Sequence, residues 1–563
     1  MRTRGLLSLA GVVIVALAVS AGAAEPTIEV GTKPGQQVRG ARLGAPEMRL
    51  SLQDAITTAL AHNINLEVSR LALASSQQGF LGSTGIFDPV LASALGGSYS
   101  ESQSTNQLVG AKVAVVRQRE FNLSLGGLVP TGANYSVAWT NSRTKTNSSF
   151  YFLNPAYNAG LTLSLSQPLL KGFGTDVTRT AIEVARRSRD ISAVQFQEIV
   201  INTAEAVENA YWNLVYTIDN LKSRQHSLML AQDLLRETQA RVRIGTSAPI
   251  DIIQSEAAVA AREVDIIVAE NAVGNAGDVL KGLMGFENPG DWQSTIVPTD
   301  SLEVTTRDVD LDRSIAEAIE KRPELRVTKL QVEIGEENLL AARNATRPQL
   351  DFGLNYGYAG VGGDAAVLDP QTGDVLSINP GGWSDALRQL RNRDYNQWSA
   401  VVNFSYPLGN HQAKAQLAQR RFAVATARQN VALQRQAVIE DVRNAVRGLE
   451  ASAKSIAAAV KSRELAERNL DAEQKKFANG MSTNFQVVKI QDDLTAAQAA
   501  ELQSRVFYRQ AVATYEVAIG SFLDALGISV KGAPAAKEPH TALKDVDWLK
   551  FGHWVKDGGA ATK

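Results

Sequence analysis

The sequence of 563 residues carries 57 Lys plus Arg against 58 Asp plus Glu, and this near-cancellation leaves no global field to attract nucleic acid or an acidic surface. Cysteine is absent, which excludes a disulfide framework, a thiolate metal site and a lipid carried on an N-terminal cysteine. The length suits either several domains or one elongated architecture.

Arg2 and Arg4 precede an apolar run over residues 6–19 and the small residues Ala21, Gly22, Ala23 and Ala24. The run is shorter than the ~20 residues that span a bilayer and ends in a cleavage pattern, so residues 1–23 read as a signal peptide and predict export. Residues 24–49 read as a polar linker.

A first helix is predicted from residue 52 to about residue 80. Leu95, Gly97 and Tyr99 then alternate weakly as a strand. A hairpin-like pair follows, residues 121–128 and 135–139 around Pro130-Thr131-Gly132, and it has no counterpart later in the chain. Leu161, Leu163 and Leu165 alternate cleanly with Thr162, Ser164 and Ser166. Residues 175–244 contain neither Gly nor Pro, and Val207, Tyr211, Leu214, Ile218 and Leu221 follow the heptad alternation of helices packed side by side. At 1.5 Å per residue this window reaches roughly 100 Å, about twice the thickness of a bilayer. Across the turn Gly245-Thr246-Ser247 a returning helix is predicted over residues 250–286.

After a linker over residues 287–309 the order repeats. Ile56, Leu66, Val68 and Pro89 fall at one constant shift on Ile315, Leu325, Val327 and Pro348, so residues 50–286 and 310–527 read as two structural repeats. The second opens with a helix over residues 311–345 that Pro323 breaks early. Leu350, Phe352, Leu354, Tyr356 and Tyr358 alternate with Asp351, Gly353, Asn355 and Gly357, and Trp398, Ala400, Val402, Phe404 and Tyr406 form a second strand. Between them residues 359–396, rich in Gly, Asp and Pro, read as a long exterior loop. Residues 410–479 contain only Gly448, with Val442, Val446, Leu449, Ala453, Ile456 and Val460 as the heptad. The turn Gly480-Met481-Ser482 leads into a returning helix over residues 485–526, and residues 528–563 form a polar tail holding Trp548, Phe551 and Trp554.

One aromatic-apolar face and one small-polar face per strand suit a membrane barrel. Two strands per repeat, the minimum, cannot close one, and open edges are not tolerated in lipid, so the pattern demands oligomerisation. The hairpin near residues 121–139 either widens the barrel or sits above it. The fold class is thus α+β: long helical coiled-coil hairpins packed side by side, which the resemblance drawn below implies close into an α-barrel, and a transmembrane antiparallel β-barrel assembled from several chains.

No chemistry emerges. His62, His226, His411, His540 and His553 are scattered without ligand spacing, Gly172-Phe173-Gly174 lacks the rest of a phosphate loop, and no nucleophile elbow is present. Neither enzyme activity nor a metal or cofactor is expected. In the two glycine turns, Gly245 and Gly480 read as helix C-caps and Ser247 and Ser482 as N-caps of the helices that follow.

The signal peptide, duplicated halves, matched long helices, strands ending in Gln167-Pro168-Leu169-Leu170 and Tyr406-Pro407-Leu408, and the glycine turns together resemble the TolC-like outer-membrane efflux protein family, over residues 50–527. The resemblance implies a homotrimer with a twelve-stranded barrel in outer-membrane lipid and a helical tunnel in the periplasm. It implies an exit duct of a tripartite efflux or type I secretion system, fed by a periplasmic adaptor and an inner-membrane pump. By position it makes Arg243, Gly245, Ser247, Lys476, Gly480 and Ser482 candidate adaptor contacts. Some members close the entrance with aspartate rings after the second turn; here those places hold Gln486 and Lys489, with Asp251 equivalent in the first repeat and Asp492 and Asp493 one to two turns beyond. The competing reading is a periplasmic coiled-coil scaffold or adhesin without a pore.

Overall fold

The computed structural model describes residues 27–30, 47–104, 110–148, 151–368 and 375–531. The expected signal peptide and most of the tail after residue 528, with its three aromatics, lie outside the described residues, as does most of the linker at 24–49.

In chain order β1 (Thr27–Val30) and β2 (Glu47–Leu50) lead to α1 (Leu52–His62) and α2 (Ile64–Thr84). Four long strands follow: β3 (Val90–Gln103), β4 (Val113–Leu128), β5 (Asn134–Thr146) and β6 (Leu153–Pro168). Then come the short α3 (Thr175–Thr178), the long α4 (Thr180–Arg243), α5 (Pro249–Leu283), α6 (Pro289–Trp292) and β7 (Thr295–Pro298). The order continues with α7 (Leu311–Lys321), α8 (Pro323–Ala345), β8 (Gln349–Leu368), β9 (Val375–Asn379), α9 (Trp383–Asn392) and β10 (Tyr395–Ser405). It closes with α10 (His411–Ala478), α11 (Asn484–Ile519), α12 (Phe522–Leu526) and β11 (Ile528–Lys531).

The two Gly- and Pro-poor windows are helical almost throughout: 64 residues in α4 and 68 in α10, roughly 96 and 102 Å at the standard rise. Both end in the same way. At Gly245 (φ +80°) the amide of Thr246 donates to the carbonyl of Arg241 and that of Gly245 to Val242; at Gly480 (φ +75°) Met481 donates to Lys476 and Gly480 to Phe477. This paired pattern satisfies the last carbonyls and needs a left-handed residue, which glycine supplies without a Cβ penalty. The single opening helix expected over residues 52–80 is instead two. Asn63 stops α1 and its side chain caps α2 by accepting from the Leu66 amide at 3.1 Å.

The helices form one layer that changes partners halfway. Toward the sheet the order is α2, α4, α8, α10; toward the glycine turns it is α5, α4, α11, α10. Ser192 on α4 donates to Ser76 on α2 at 3.1 Å, and Arg428 on α10 pairs with Glu336 on α8 at 2.7 Å. Farther along, Ser223 on α4 donates to Gln498 on α11 at 2.9 Å, and Arg463 on α10 pairs with Glu501 on α11. The main core lies at the handover, where α1 and β2 pack on Val207, Tyr211 and Leu214, all fully buried. The Tyr211 hydroxyl donates to Asp300 at 2.6 Å, so the aromatic ring fills the core while its polar end is satisfied. A second core joins α7, α10 and α11 around Val438, Val442 and Leu449.

The sheet runs β10-β8-β6-β5-β4-β3, each neighbour antiparallel, with β9 paired on the outer end of β8. Six long strands therefore lie side by side, two more than the minimum, because the hairpin of β4 and β5 inserts between β3 and β6. The expected structureless loop at 359–396 is also corrected: β8 continues to Leu368, and α9 folds back on β8 and β6. The glycines that suggested a loop are there for close approach. A Cβ at Gly360 would meet the Ala386 carbonyl at 2.1 Å, and one at Gly362 the Gly382 carbonyl at 2.1 Å. Trp383 on α9 donates its indole N–H to Asn141 at 3.1 Å and stacks near Trp139.

Cross-strand partners share a sheet face. One such row reads Trp398, Tyr356, Leu163, Val137, Leu125, Leu91 across all six strands, and the adjacent row on the opposite face reads Ser399, Asn355, Ser164, Ser136, Gly126, Val90. The apolar face extends from Leu350 to the level of Gly360 on β8, ten residues or ~34 Å, which at a 35–45° tilt is a band roughly 24–28 Å tall. That is the height of a membrane-facing girdle. Beyond it stand Arg119, Arg143 and Arg117.

Candidate functional site

The helical end opposite the sheet gathers most of the residues singled out from sequence. Both turns are tied together beneath their surface by a buried polar cluster. Asn484, at the start of α11, donates to the Ser255 hydroxyl at 2.9 Å and to the Asp251 carbonyl at 3.1 Å, while its own carbonyl oxygen accepts from Thr238 at 3.4 Å. Thr238, Ser255 and Asn484 are all fully buried, so α4, α5 and α11 converge on one satisfied network. Arg241 adds a second tie, lying 4.4 Å over the Phe477 ring and donating to the Ala478 carbonyl at 3.3 Å.

The structure separates the candidate contact residues into two kinds. Arg243 and Gly245 are exposed on the first turn, and Gly480 is exposed on the second. Ser247 and Ser482 are not helix caps, because the cap falls one residue later in each case. Pro249 starts α5 with the Asp251 carboxylate accepting from the Ala248 amide at 3.2 Å, and Thr483 caps α11 through Gln486. Ser482 instead donates to Glu473, which also pairs with Lys476 at 3.0 Å. The Ser482 hydroxyl first, and then the Lys476 ammonium, hold the Glu473 carboxyl below its ordinary range.

The candidate gate residues are likewise divided. Asp251 is engaged as the α5 cap. Gln486 is half-buried and Lys489 exposed. Asp492 on α11 accepts from the buried guanidinium of Arg262 on α5, whose other terminal nitrogen reaches the Ala258 carbonyl at 3.5 Å. Asp493 is exposed and has no hydrogen-bond or ion-pair partner among the described residues. Arg262 was missed from sequence: on α5 it looks like any charged residue of a solvated helix face, and only the packing of α5 against α11 reveals it. Its Nε has no partner, so Asp492 carries most of the compensation for a buried charge. Neighbouring links repeat the theme, with Thr495 donating to Ser227 at 3.1 Å and Arg224 pairing with Asp265 at 3.1 Å. Among the described residues no His, Cys, Asp and Glu group has metal-binding geometry.

An apolar-banded antiparallel sheet rooted on ~100 Å helices, whose far end is laced by ion pairs, defines the class of elongated outer-membrane channel subunits. The chain belongs to the outer membrane efflux protein family, whose model matches residues 131–285 and 314–521, and it is TolC-like. It is 22% identical over 364 residues to the outer membrane protein TolC of Vibrio cholerae serotype O1, covering 64% of this chain and 76% of that one. The Campylobacter jejuni CmeC outer membrane channel superposes with a TM-score of 0.60 at 13% identity, over 84% of this chain and 86% of that chain. The open state of the Neisseria gonorrhoeae MtrE outer membrane channel gives 0.56 at 18%, over 89% and 97%. The protein is thus an outer-membrane protein with its helical portion on the periplasmic side.

Proposed function

We propose that three copies of the chain form a continuous exit duct, a β-barrel in the outer membrane prolonged by an α-barrel through the periplasm, which receives substrate from a separate inner-membrane pump through a periplasmic adaptor. The observation that carries this reading is that sheet and helix layer end at the same two edges. On one side are β3 and α2, on the other β10 and α10, and both sides are apolar and unpaired within the chain. Ile64, Val68 and Leu71 on α2, and Phe422 and Leu433 on α10, are exposed there. An open strand edge cannot lie in lipid, so neighbouring copies must cover it. A scaffold without a pore would leave the apolar sheet face with no solvent to suit it.

In this reading the two sequence repeats at 50–286 and 310–527 are the two structural halves of each subunit. The matching order of opening helices, strands, long helix and returning helix supports that division. Arg243, Gly245, Lys476 and Gly480 present the turns to the adaptor, and the half-buried Ser482 shapes the second turn through its bond to Glu473. The Arg262–Asp492 pair holds the two returning helices together and is the resting lock of the entrance, with Gln486, Lys489 and Asp493 beside it. Transport is passage through water rather than chemistry.

Purified, detergent-extracted protein in planar bilayers tests this. Stepwise conductance from particles of trimeric mass is the expected result, larger in an Asp492→Ala variant than in the parent. Monomeric mass with no conductance from either protein would overturn it.

A further inference from the structure

The hairpin of β4 and β5 has no counterpart in the second half, and the family match begins only at Thr131, in its turn. Resting on the trimeric reading above, we infer that this hairpin belongs to the barrel wall, so that each chain contributes six strands and three chains close an eighteen-stranded barrel.

The face pattern and the width carry this, and the strand directions allow it. Val137 and Leu125 occupy the same apolar row as Tyr356 and Leu163, and Ser136 and Gly126 the same small-polar row as Asn355 and Ser164. A hairpin standing above the membrane has no need of a lipid-facing side in register with its neighbours; one within the wall must have it.

Six antiparallel strands leave β3 and β10 running in opposite senses, so β3 of one copy meets β10 of the next antiparallel and the alternation is unbroken around the ring. Edge residues of both strands are open for that pairing: Leu91 is 68% and Trp398 71% exposed.

At a spacing of ~4.8 Å and a tilt of about 40°, six strands occupy roughly 38 Å of circumference. The four helices beneath them, at about 8–10 Å each, occupy roughly 32–40 Å. Four strands would cover only roughly 25 Å. The helix order α2, α4, α8, α10 also matches the strands they join, β3, β6, β8 and β10, so the hairpin fills the arc between β3 and β6.

Barrel diameter grows roughly linearly with strand number, so the outer bore is about 1.5 times that of a twelve-stranded ring, with a lumen wall mainly of Ser, Thr, Asn, Gly and Ala and with Asp351 at its helical end. Such a bore admits bulky polar solutes, and size selection passes to the helical end.

The absence of native cysteine makes the test direct. Ala92→Cys or Ala94→Cys on β3 is combined in the full chain with Ser399→Cys or Val401→Cys on β10, and in a parallel set Ser136→Cys or Ala138→Cys on β5 takes the place of the β3 cysteine. After oxidation in detergent, disulfide-linked trimers from the β3–β10 pairs and none from the β5–β10 pairs are expected. Trimers linked through β5 and β10 would overturn the inference and leave the trimer intact, since they place β3 and β4 outside the ring. Monomeric mass would overturn both. Strand counting by electron microscopy of the unmodified particle gives the second measure: eighteen upholds the inference and twelve overturns it.

Discussion

Arg262 and Asp492 face each other across the two returning helices, the guanidinium buried and the carboxylate more than half exposed. The asymmetry sets what each substitution does. Replacing Asp492 leaves a buried cation without its partner, whereas replacing Asp493, which is solvated, removes nothing.

Asp492→Ala is therefore expected to destabilise the chain by about 1–3 kcal/mol, the upper part of that range being reduced by the exposure of the carboxylate. Asp493→Ala should stay within ~0.5 kcal/mol of the parent. Thermal or denaturant unfolding of the two variants side by side checks the difference, and equal losses would contradict it.

Asn484→Ala removes the hub of the buried cluster at the turns and leaves the buried Thr238 hydroxyl without its acceptor, while Ser255 keeps its bond to the Asp251 carbonyl at 3.0 Å. A cost of about 1–3 kcal/mol follows from the unsatisfied hydroxyl. Because the cluster joins α4, α5 and α11, limited proteolysis should show earlier cleavage in the turns than in the parent, while the sheet stays resistant.

Gly245 and Gly480 hold the left-handed residue of the same capping motif, so Ala at either position costs about 1–2 kcal/mol. No heavy atom lies within 4 Å of a Cβ built at either site, so the cost is conformational rather than steric. Asn, which tolerates that region, should recover much of the loss; a Gly480→Asn variant as unstable as Gly480→Ala would count against this account.

Glu208, near the handover, has its carboxyl pushed up to about 7, mainly by burial, with the Trp212 N–H opposing the rise. The folded state then binds more protons than the unfolded state between the ordinary carboxyl value and about 7. Its contribution is complete at low pH and is lost as pH rises through that window, on the order of 1–3 kcal/mol. Melting temperature measured from pH 4.5 to pH 8 should fall less steeply in Glu208→Gln.

Val137→Arg on β5 should impair membrane assembly as severely as Tyr356→Arg on β8, about 2–4 kcal/mol near the bilayer midplane, whereas Ser136→Arg on the opposite face should be tolerated. Heat-stable oligomer on gels of outer-membrane fractions reports the outcome.

The long helices, the glycine turns and the strand faces were legible in the sequence because each is written locally: the absence of Gly and Pro in α4, the alternation from Leu350 to Tyr358, the paired Gly245 and Gly480. What escaped is what depends on distant packing. Asn63 looks unremarkable until its side chain caps α2. Gly360 and Gly362 read as loop residues because sequence cannot distinguish a glycine needed for a bend from one needed for a neighbouring helix. Arg262 is indistinguishable from solvated charges until α11 lies against it. The hairpin of β4 and β5 was visible, but its place in the sheet follows only from the registers on either side.

The change of partners halfway along α4 and α10 has a mechanical meaning. Near the sheet these helices are clamped by α2 and α8, at the turns by α5 and α11, and the dense core around Tyr211 lies between the clamps. A twist applied at the turns thus meets a rigid collar before it reaches the membrane. In the proposed duct, one end is thereby free to act as a valve while the other stays a fixed pipe.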